Sequence, residues 1–497
     1  MEKHLIGISV DAMVFEDIEY LSDLPSFSRF LDGASIIERV RTIYPSLTHP
    51  VHASIITGAP AGVTGIVNNH IFKPQAPATD TRQWYNILSE IKCDTILHAA
   101  KRAGLRTASS TWPMTAYGGD IIDYLVPSAL NYYFEGKENP LDVYRELGAS
   151  EEIMPIIEAA VKLFGSQDRH PEYDDFQIFC SAEIIKKFKP NLLLIHPGDV
   201  DSKRHRSGVY TSKVNEALER TDAWIGQILD AVDAAGIADT TDVIVLSDHG
   251  QINTTRVIAP NVWLVDNGLI KIDGNGNITD WGAYVQSGGA TAHVYLSRPD
   301  DIELWNRTYK LLSEMASEGI YGFSRVYTTE ETNEKYGLTG DFSFVLETDG
   351  YTSFSEDLVR PAVKDHDPGD YRFGHATHGH EPHKGPQPPF IAKGPSFKSG
   401  VVIAEGNILN HAPTIAKVLG LELRDASGTA VDEILASPAH QNPVHNKPFA
   451  STNAAMMYIR LATHPPITAY GIKLSHHRSP SCSRHPLPFA GLRKTPT

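Results

Sequence analysis

The sequence predicts an α/β fold, with a central and mostly parallel sheet flanked by helices, and three observations carry that prediction. Short apolar runs ending in polar residues alternate with helical patterns, the signature of strands joined by crossover helices. Between the third and fourth runs, Val214, Leu218, Ile225, Leu229 and Val232 recur at helical spacing, so the spacing predicts a helix over 211–235 packed on the sheet. Acidic residues follow the runs, at the strand ends where open α/β sheets place their ligand crevice.

The expected strands are Leu5 to Val10, Leu105 to Ser110, Asn191 to Ile195 and Val243 to Leu246. Asp11 follows the first, Asp199 and Asp201 the third, and Asp248-His249 the fourth. One such aspartate is ordinary turn chemistry. Three places, two of them paired with histidine, point to convergence on one sheet edge. Residues 252–377 read differently: Ala292 to Leu296, Phe342 to Glu347 and the Asp349-Gly350 turn suggest hairpins, hence an inserted cap or edge segment. Pro389 to Ala392 and His411 to Leu419 then complete a catalytic domain spanning 1–436. From 437 to 497 there is no Asp or Glu, but seven Lys/Arg, nine Pro and six His, so a peripheral tail is expected. Met456 to Leu461 is its one stretch suited to local docking.

Composition bounds the function. The 497 residues are 41% hydrophobic and 21% charged, which excludes collagenous and low-complexity classes. The 44 basic residues against 60 acidic ones give a net charge of −16. That field repels nucleic acid polymers and anionic membranes, so a small-molecule substrate is expected, and a phosphate-bearing one would need local positive charge such as metal ions. Cys93, Cys180 and Cys482 are odd in number and form no CxxC pair, arguing against a disulfide framework and thiolate zinc sites. The initial apolar stretch is too short for a signal peptide, and no window reaches the ~18 apolar residues of a membrane span. A cytoplasmic location is the expectation.

Three segments carry metal-ligand chemistry. Asp201 and His205 lie four residues apart, a chelating pair on one helical turn. Asp248-His249 puts two ligands on a bend. The loop from Gly374 offers His375, His378, His380 and His383. With Asp11, this mixed His and Asp set suits two zinc ions, with manganese or iron as alternatives, better than the oxygen-only cages of calcium or magnesium. Upstream, Thr48 precedes Pro50, a residue favoured in a first helical turn. Thr48 there either caps the helix or presents its hydroxyl where amides and the helix dipole favour an anion. Asn68 and Asn69 follow Gly65 on a turn that offers amide donors.

In order, Asp11, PSLTHP around Thr48, TGAPAGVTGIVNN over 57–69, the Asp201/His205 pair, SDHG, THGHEP, PPFIAKGPSFK and HAPTIAKVLGL resemble the alkaline phosphatase superfamily, and within it the type I phosphodiesterase/nucleotide pyrophosphatase family. The resemblance runs over about residues 5–425 and implies an alkaline-phosphatase-like sheet. It assigns one zinc to Asp201, His205 and His378, the other to Asp11, Thr48, Asp248 and His249. Thr48 looks like the nucleophile that forms a phosphothreonine, and Asn69 like the amide that binds a nonbridging phosphoryl oxygen. Phosphodiester or pyrophosphate hydrolysis is the implied activity. No C/S-x-P-x-R signature surrounds Thr48, which disfavours sulfatase chemistry. The family usually has an aromatic residue after the nucleophile and Tyr five residues before the Asp201 position; here these are His49 and His196. Both aromatics help to hold a nucleobase, so P–C hydrolysis like that of phosphonoacetate hydrolases and phosphomonoester hydrolysis stand as alternatives. A catalytically silent metal-binding protein would be marked by a missing ligand or nucleophile, and none of the seven positions is missing.

Overall fold

The computed structural model describes residues 2–74, 84–129, 139–165, 169–367, 369 and 373–436. The expected tail, 437–497, lies outside the described residues. Eight strands form the central sheet in the order Val402–Asn407, Ser35–Arg41, Phe390–Lys393, Thr241–Leu246, His4–Ser9, Leu192–Ile195, Thr107–Ser110 and Tyr124–Val126. Neighbours pair in parallel except at Phe390–Lys393, which is antiparallel to both strands beside it. The four apolar runs are all strands, and the crossover helix is Ser212–Ala234. Ser35–Arg41 and Val402–Asn407 lie at one margin and carry Glu38, Arg39, Arg41 and Glu405. Half-solvated strands of this kind give no apolar run to recognise.

Alternate residues of the central strands feed two cores. Ile6, Ile8, Ile195 and Val243 pack with Leu218, Ile225 and Leu229 of the crossover helix. Leu5, Leu192, Leu194, Ile244 and Leu246 face the other way, against Val51 and Ile55. Burial on both faces makes these strands continuously apolar and holds them rigid. The three central strands run parallel and in register, so their carboxyl ends open on one edge. There Val10 N donates to Leu246 O and Asp11 N to Pro197 O, each at 2.9 Å.

Within 252–377, a four-stranded antiparallel sheet runs in the order Ala283–Gly288, Thr291–Leu296, Phe344–Thr348, Phe323–Thr328. It has its own core, with Val285, Val294, Phe344 and Leu346 against Leu304, Leu312 and Met315 of the helix Ile302–Glu318. The Asp349-Gly350 turn closes no hairpin. Asp349 Oδ1 accepts from Tyr351 N at 2.9 Å, and the following strand, Thr352–Phe354, pairs in parallel with Arg256–Ile258 in another sheet. An Asx turn redirects the chain without choosing the strand that receives it. Among the described residues no helix is long and apolar enough to cross a membrane.

Candidate active site

The sheet edge gathers the expected ligands from five separate segments. Asp201 and His205 occupy one face of the helix Asp199–Ser207, with His205 Nε2 3.4 Å from Asp201 Oδ2. His378 follows the short strand Ala376–Thr377, and its Nε2 lies 3.9 Å from Asp201 Oδ1. These three residues have donor atoms all within 4.8 Å of one another, and so do Asp11, Asp201 and His249. Asp201 therefore reaches both groups. Asp248 Oδ2 stands 3.1 Å from His249 Nε2, and Asp11 Oδ1 stands 3.7 Å from it.

Close backbone approaches hold the ligands in place. Ala12, with φ of 57°, sits in the left-handed region while its N–H donates to Asp248 Oδ1 at 3.1 Å, strain of the kind kept at functional sites. Gly250, after His249, has no room for a side chain, since a Cβ would lie 2.2 Å from Pro386 O. His378 Nδ1 donates to Ser46 O at 3.0 Å and His205 Nδ1 to Ala376 O at 2.8 Å. Carbonyl acceptors hold a proton on each Nδ1 and aim Nε2 at the carboxylates.

Thr48 opens the helix Thr48–Thr57. It does not cap that helix: Leu47 is the cap, and no side chain takes the capping role. Instead Thr48 Oγ1 lies 3.3 Å from His249 Nε2. Asn69 Oδ1 accepts from His49 N at 2.9 Å, with His49 Nδ1 at 3.2 Å. With its carbonyl pinned, Asn69 has its amide N–H groups left to donate elsewhere.

Electrostatics set the carboxylates apart. Burial pushes Asp11 well above the carboxylate range, and Asp248 and Asp201 add repulsion. Burial likewise pushes Asp248 up to about 6. Asp201 is also buried, yet His205, His378 and His249 hold it below its usual value. Burial brings His249 down to about 3 and His378 well below its ordinary value. Asp11 Oδ1 and Asp248 Oδ2 are buried without a hydrogen-bond partner, an arrangement costing several kcal/mol unless a cation completes it. The mixed imidazole and carboxylate donors fit transition-metal ions on this ground.

Neighbours outside the expected ligand set complete the site. His52 Nδ1 donates to Thr48 O at 2.7 Å and lies 3.5 Å from Asp248 Oδ2; its spacing of four from Thr48 on a helix was the available signal. His196 Nε2 is 3.3 Å from Asp11 Oδ2. Lys203, Arg204 and Arg206 could be read as one solvated basic face, but Arg204 is fully buried and paired with Asp17. It pins the Asp201/His205 helix to the loop that carries Asp11. Of the other histidines on the His378 loop, His380 turns Nδ1 to Glu381 O at 3.0 Å and His383 is exposed beside Glu381.

A mostly parallel sheet with this acid- and histidine-lined edge defines an alkaline-phosphatase-like α/β protein. The chain belongs to the type I phosphodiesterase / nucleotide pyrophosphatase family, whose sequence pattern matches residues 5–378. It is 24% identical over 259 residues to human ectonucleotide pyrophosphatase/phosphodiesterase family member 1, a match covering 50% of this chain and 24% of that protein. An uncharacterised pyrophosphatase/phosphodiesterase of Schizosaccharomyces pombe is 25% identical over 244 residues, covering 48% of this chain and 40% of its own. The matches thus span well under half of these curated relatives. Among solved structures, murine ectonucleotide pyrophosphatase/phosphodiesterase 5 superposes with a TM-score of 0.59 at 17% identity, over 87% of this chain and 100% of that one. An inactive threonine-to-alanine variant of it in complex with AMP gives 0.60 at 18% identity, over 88% and 100%. At these identities the structures establish the shared fold.

Proposed function

We propose that the protein is a metal-dependent hydrolase that cleaves phosphodiester or pyrophosphate bonds of a small-molecule substrate through a covalent phosphothreonine at Thr48. The observation that carries this reading is the position of Thr48 Oγ1: at a helix start, 3.3 Å from His249 Nε2, beside two donor groups that share Asp201. Family membership supports it. So do the solved relatives, one described as an inactive threonine-to-alanine variant with AMP bound.

Asp201, His205 and His378 would hold one metal ion, and Asp11, Asp248, His249 and Thr48 the other; zinc suits the donor set best. Such ions supply charge neutralisation at the phosphoryl group and lower the cost of an ionised hydroxyl. Thr48 Oγ forms the bond to phosphorus, and the bond to the leaving oxygen breaks on the opposite side. Asn69 donates its amide to a nonbridging oxygen, with the positive end of the Thr48–Thr57 helix favouring the same negative charge. Water then attacks phosphorus from the vacated side and Thr48 departs. A second reading, P–C hydrolysis of a phosphonate such as phosphonoacetate, is favoured by His49 and His196 standing where the family usually has aromatics.

A substrate panel on zinc-loaded protein separates the two: p-nitrophenyl phosphate, bis-p-nitrophenyl phosphate, p-nitrophenyl-TMP, dinucleotides and phosphonoacetate. The expected result is fastest turnover of a diester or pyrophosphate. Turnover of phosphonoacetate alone would replace the first reading with the second.

A further inference from the structure

We infer that His196 is a further metal ligand of this centre, on the Asp11 side; the inference rests on the two-metal reading above. The basis is a repeated arrangement. His205 donates Nδ1 to a backbone carbonyl at 2.8 Å and aims Nε2 at Asp201 Oδ2, 3.4 Å away. His378 donates Nδ1 to another at 3.0 Å and aims Nε2 at Asp201 Oδ1, 3.9 Å away. His196 does the same: Nδ1 lies 3.1 Å from Ser9 O, and Nε2 lies 3.3 Å from Asp11 Oδ2.

A carbonyl has no proton to give, so a hydrogen is on Nδ1 in each case, and a ring that carries no second proton turns an Nε2 lone pair to a carboxylate oxygen. A lone pair and a carboxylate facing each other across such a gap are held there by a positive charge between them, either a shared proton or a metal ion. An imidazolium donating to the carboxylate would close to about 2.7–2.9 Å. The observed 3.3 Å matches instead the edge of a coordination shell, since metal–ligand bonds of about 2.0–2.2 Å at angles of about 110° separate donor atoms by roughly 3.3–3.6 Å, and His196 would expand the Asp11 side to five donors. Thr48 Oγ1 and His249 Nε2, at 3.3 Å, form an edge of the same length.

His52 provides the internal contrast. Its ring lies 4.2 Å from that of His196, yet both of its nitrogens are engaged, Nδ1 by Thr48 O at 2.7 Å and Nε2 by Ser9 Oγ at 2.9 Å. It positions; it does not ligate. His196 directly follows the strand Leu192–Ile195, the same strand-end location that delivers Asp11 and Asp248. Its side chain is only 11% exposed, lying edge-on to His52 and near Trp112. The residue is therefore directed into the metal centre and offers no flat platform to a substrate.

The test uses the full chain, made metal-free and titrated with Zn2+ against a chromophoric chelator, and with Co2+ for its visible absorption. His196→Ala and the volume-conserving His196→Gln should both weaken one of two metal ions by about 10- to 100-fold. Both should also change the position and intensity of the Co2+ bands, because a nitrogen donor is lost. Weaker binding with the Co2+ bands unmoved would overturn the assignment and leave His196 as an outer residue orienting Asp11. Wild-type affinity and spectrum in both variants would overturn it outright. A wild-type protein that binds fewer than two ions would instead bring down the two-metal reading itself, and the assignment with it.

Discussion

Two buried acidic clusters lie close together along the chain's fold and differ in one respect, whether their oxygens are satisfied by the protein. At the central sheet edge, Asp11 Oδ1 and Asp248 Oδ2 have no hydrogen-bond partner. In the antiparallel segment, Glu347 accepts from Tyr44 Oη at 2.8 Å, Lys384 Nζ at 2.7 Å and Glu381 N at 3.1 Å. Glu381 in turn accepts from Tyr327, Tyr336 and Lys335. The second cluster is complete as it stands and ties the segment before Thr48 to the loop after His378. The first is left unsatisfied by the protein, which is what the proposed cation site requires. Buried acid that is satisfied holds a structure together; buried acid left unsatisfied makes a binding site.

The sharpest way to break this contrast is to separate turnover from stability. Thr48→Ala should leave the fold and both metals in place while kcat falls by roughly 10³-fold or more, read by steady-state kinetics and metal analysis. Thr48→Ser should recover part of the loss, and intact-mass analysis of quenched wild-type protein should find a phosphoryl adduct on Thr48. Wild-type turnover by Thr48→Ala would mean that water attacks directly. Glu347→Ala should do the reverse. It removes the buried acceptor that Lys384, Tyr44 and Glu381 N share, so thermal or urea unfolding should show a loss of about 2–3 kcal/mol, with two metals still bound at saturation.

The His378 loop tests the boundary between the clusters. His378→Ala should weaken one ion by at least about 10-fold, whereas His380→Ala should titrate like wild type, because His380 turns Nδ1 to Glu381 O and shares no donor group with Asp201. The opposite result would shift the ligand register by two residues.

Protons compete with metal at the first cluster only. Asp248 is pushed up to about 6 and Asp11 well above the carboxylate range, so the metal-free fold retains protons there that an unfolded chain has released. Its stability should therefore fall as pH climbs from about 4 to about 6. Metal affinity should rise over the same window by about tenfold per pH unit for each proton displaced. Burial also raises Glu347, up to about 7, but that contribution is common to loaded and metal-free protein. The difference between their melting curves isolates Asp11 and Asp248, and a pH-independent difference would refute the assignment.

The contrast also explains what sequence could reveal. Asp11, Asp201, His205, Asp248 and His249 were legible because each follows an apolar strand or sits one helical turn from a residue that does, and periodicity locates strands. His378 was legible only through its motif, in a loop offering three other histidines. Ser9, His52 and His196 meet only once the strands are laid side by side, and Tyr44 reaches Glu347 across 303 positions. Arg204 illustrates the remaining limit: nothing in Lys203-Arg204-His205-Arg206 announces that one guanidinium is buried against Asp17, since that partner lies 187 residues away.

The smallest expected effect concerns the two other cations in that stretch. Lys203 Nζ lies 3.9 Å from Oδ1 of Asp199, whose Oδ2 Arg220 engages, and Arg206 is exposed. An exposed charge contributes little, so Arg206→Ala should shift stability by less than about 0.5 kcal/mol, and Lys203→Ala, with a half-buried cation at a long 3.9 Å contact, by no more than about 1 kcal/mol. The same pair sharpens the choice of substrate. A phosphate monoester carries more negative charge than a diester and favours a cationic side chain beside the metals. If Lys203 or Arg206 filled that role, its removal would raise KM for p-nitrophenyl phosphate while leaving bis-p-nitrophenyl phosphate unaffected. Near-wild-type KM values for both substrates in both variants are the expected result, because Lys203 faces Asp199 and Arg206 is exposed, while the proposed chemistry rests on Thr48, Asn69 and the acid- and histidine-lined centre.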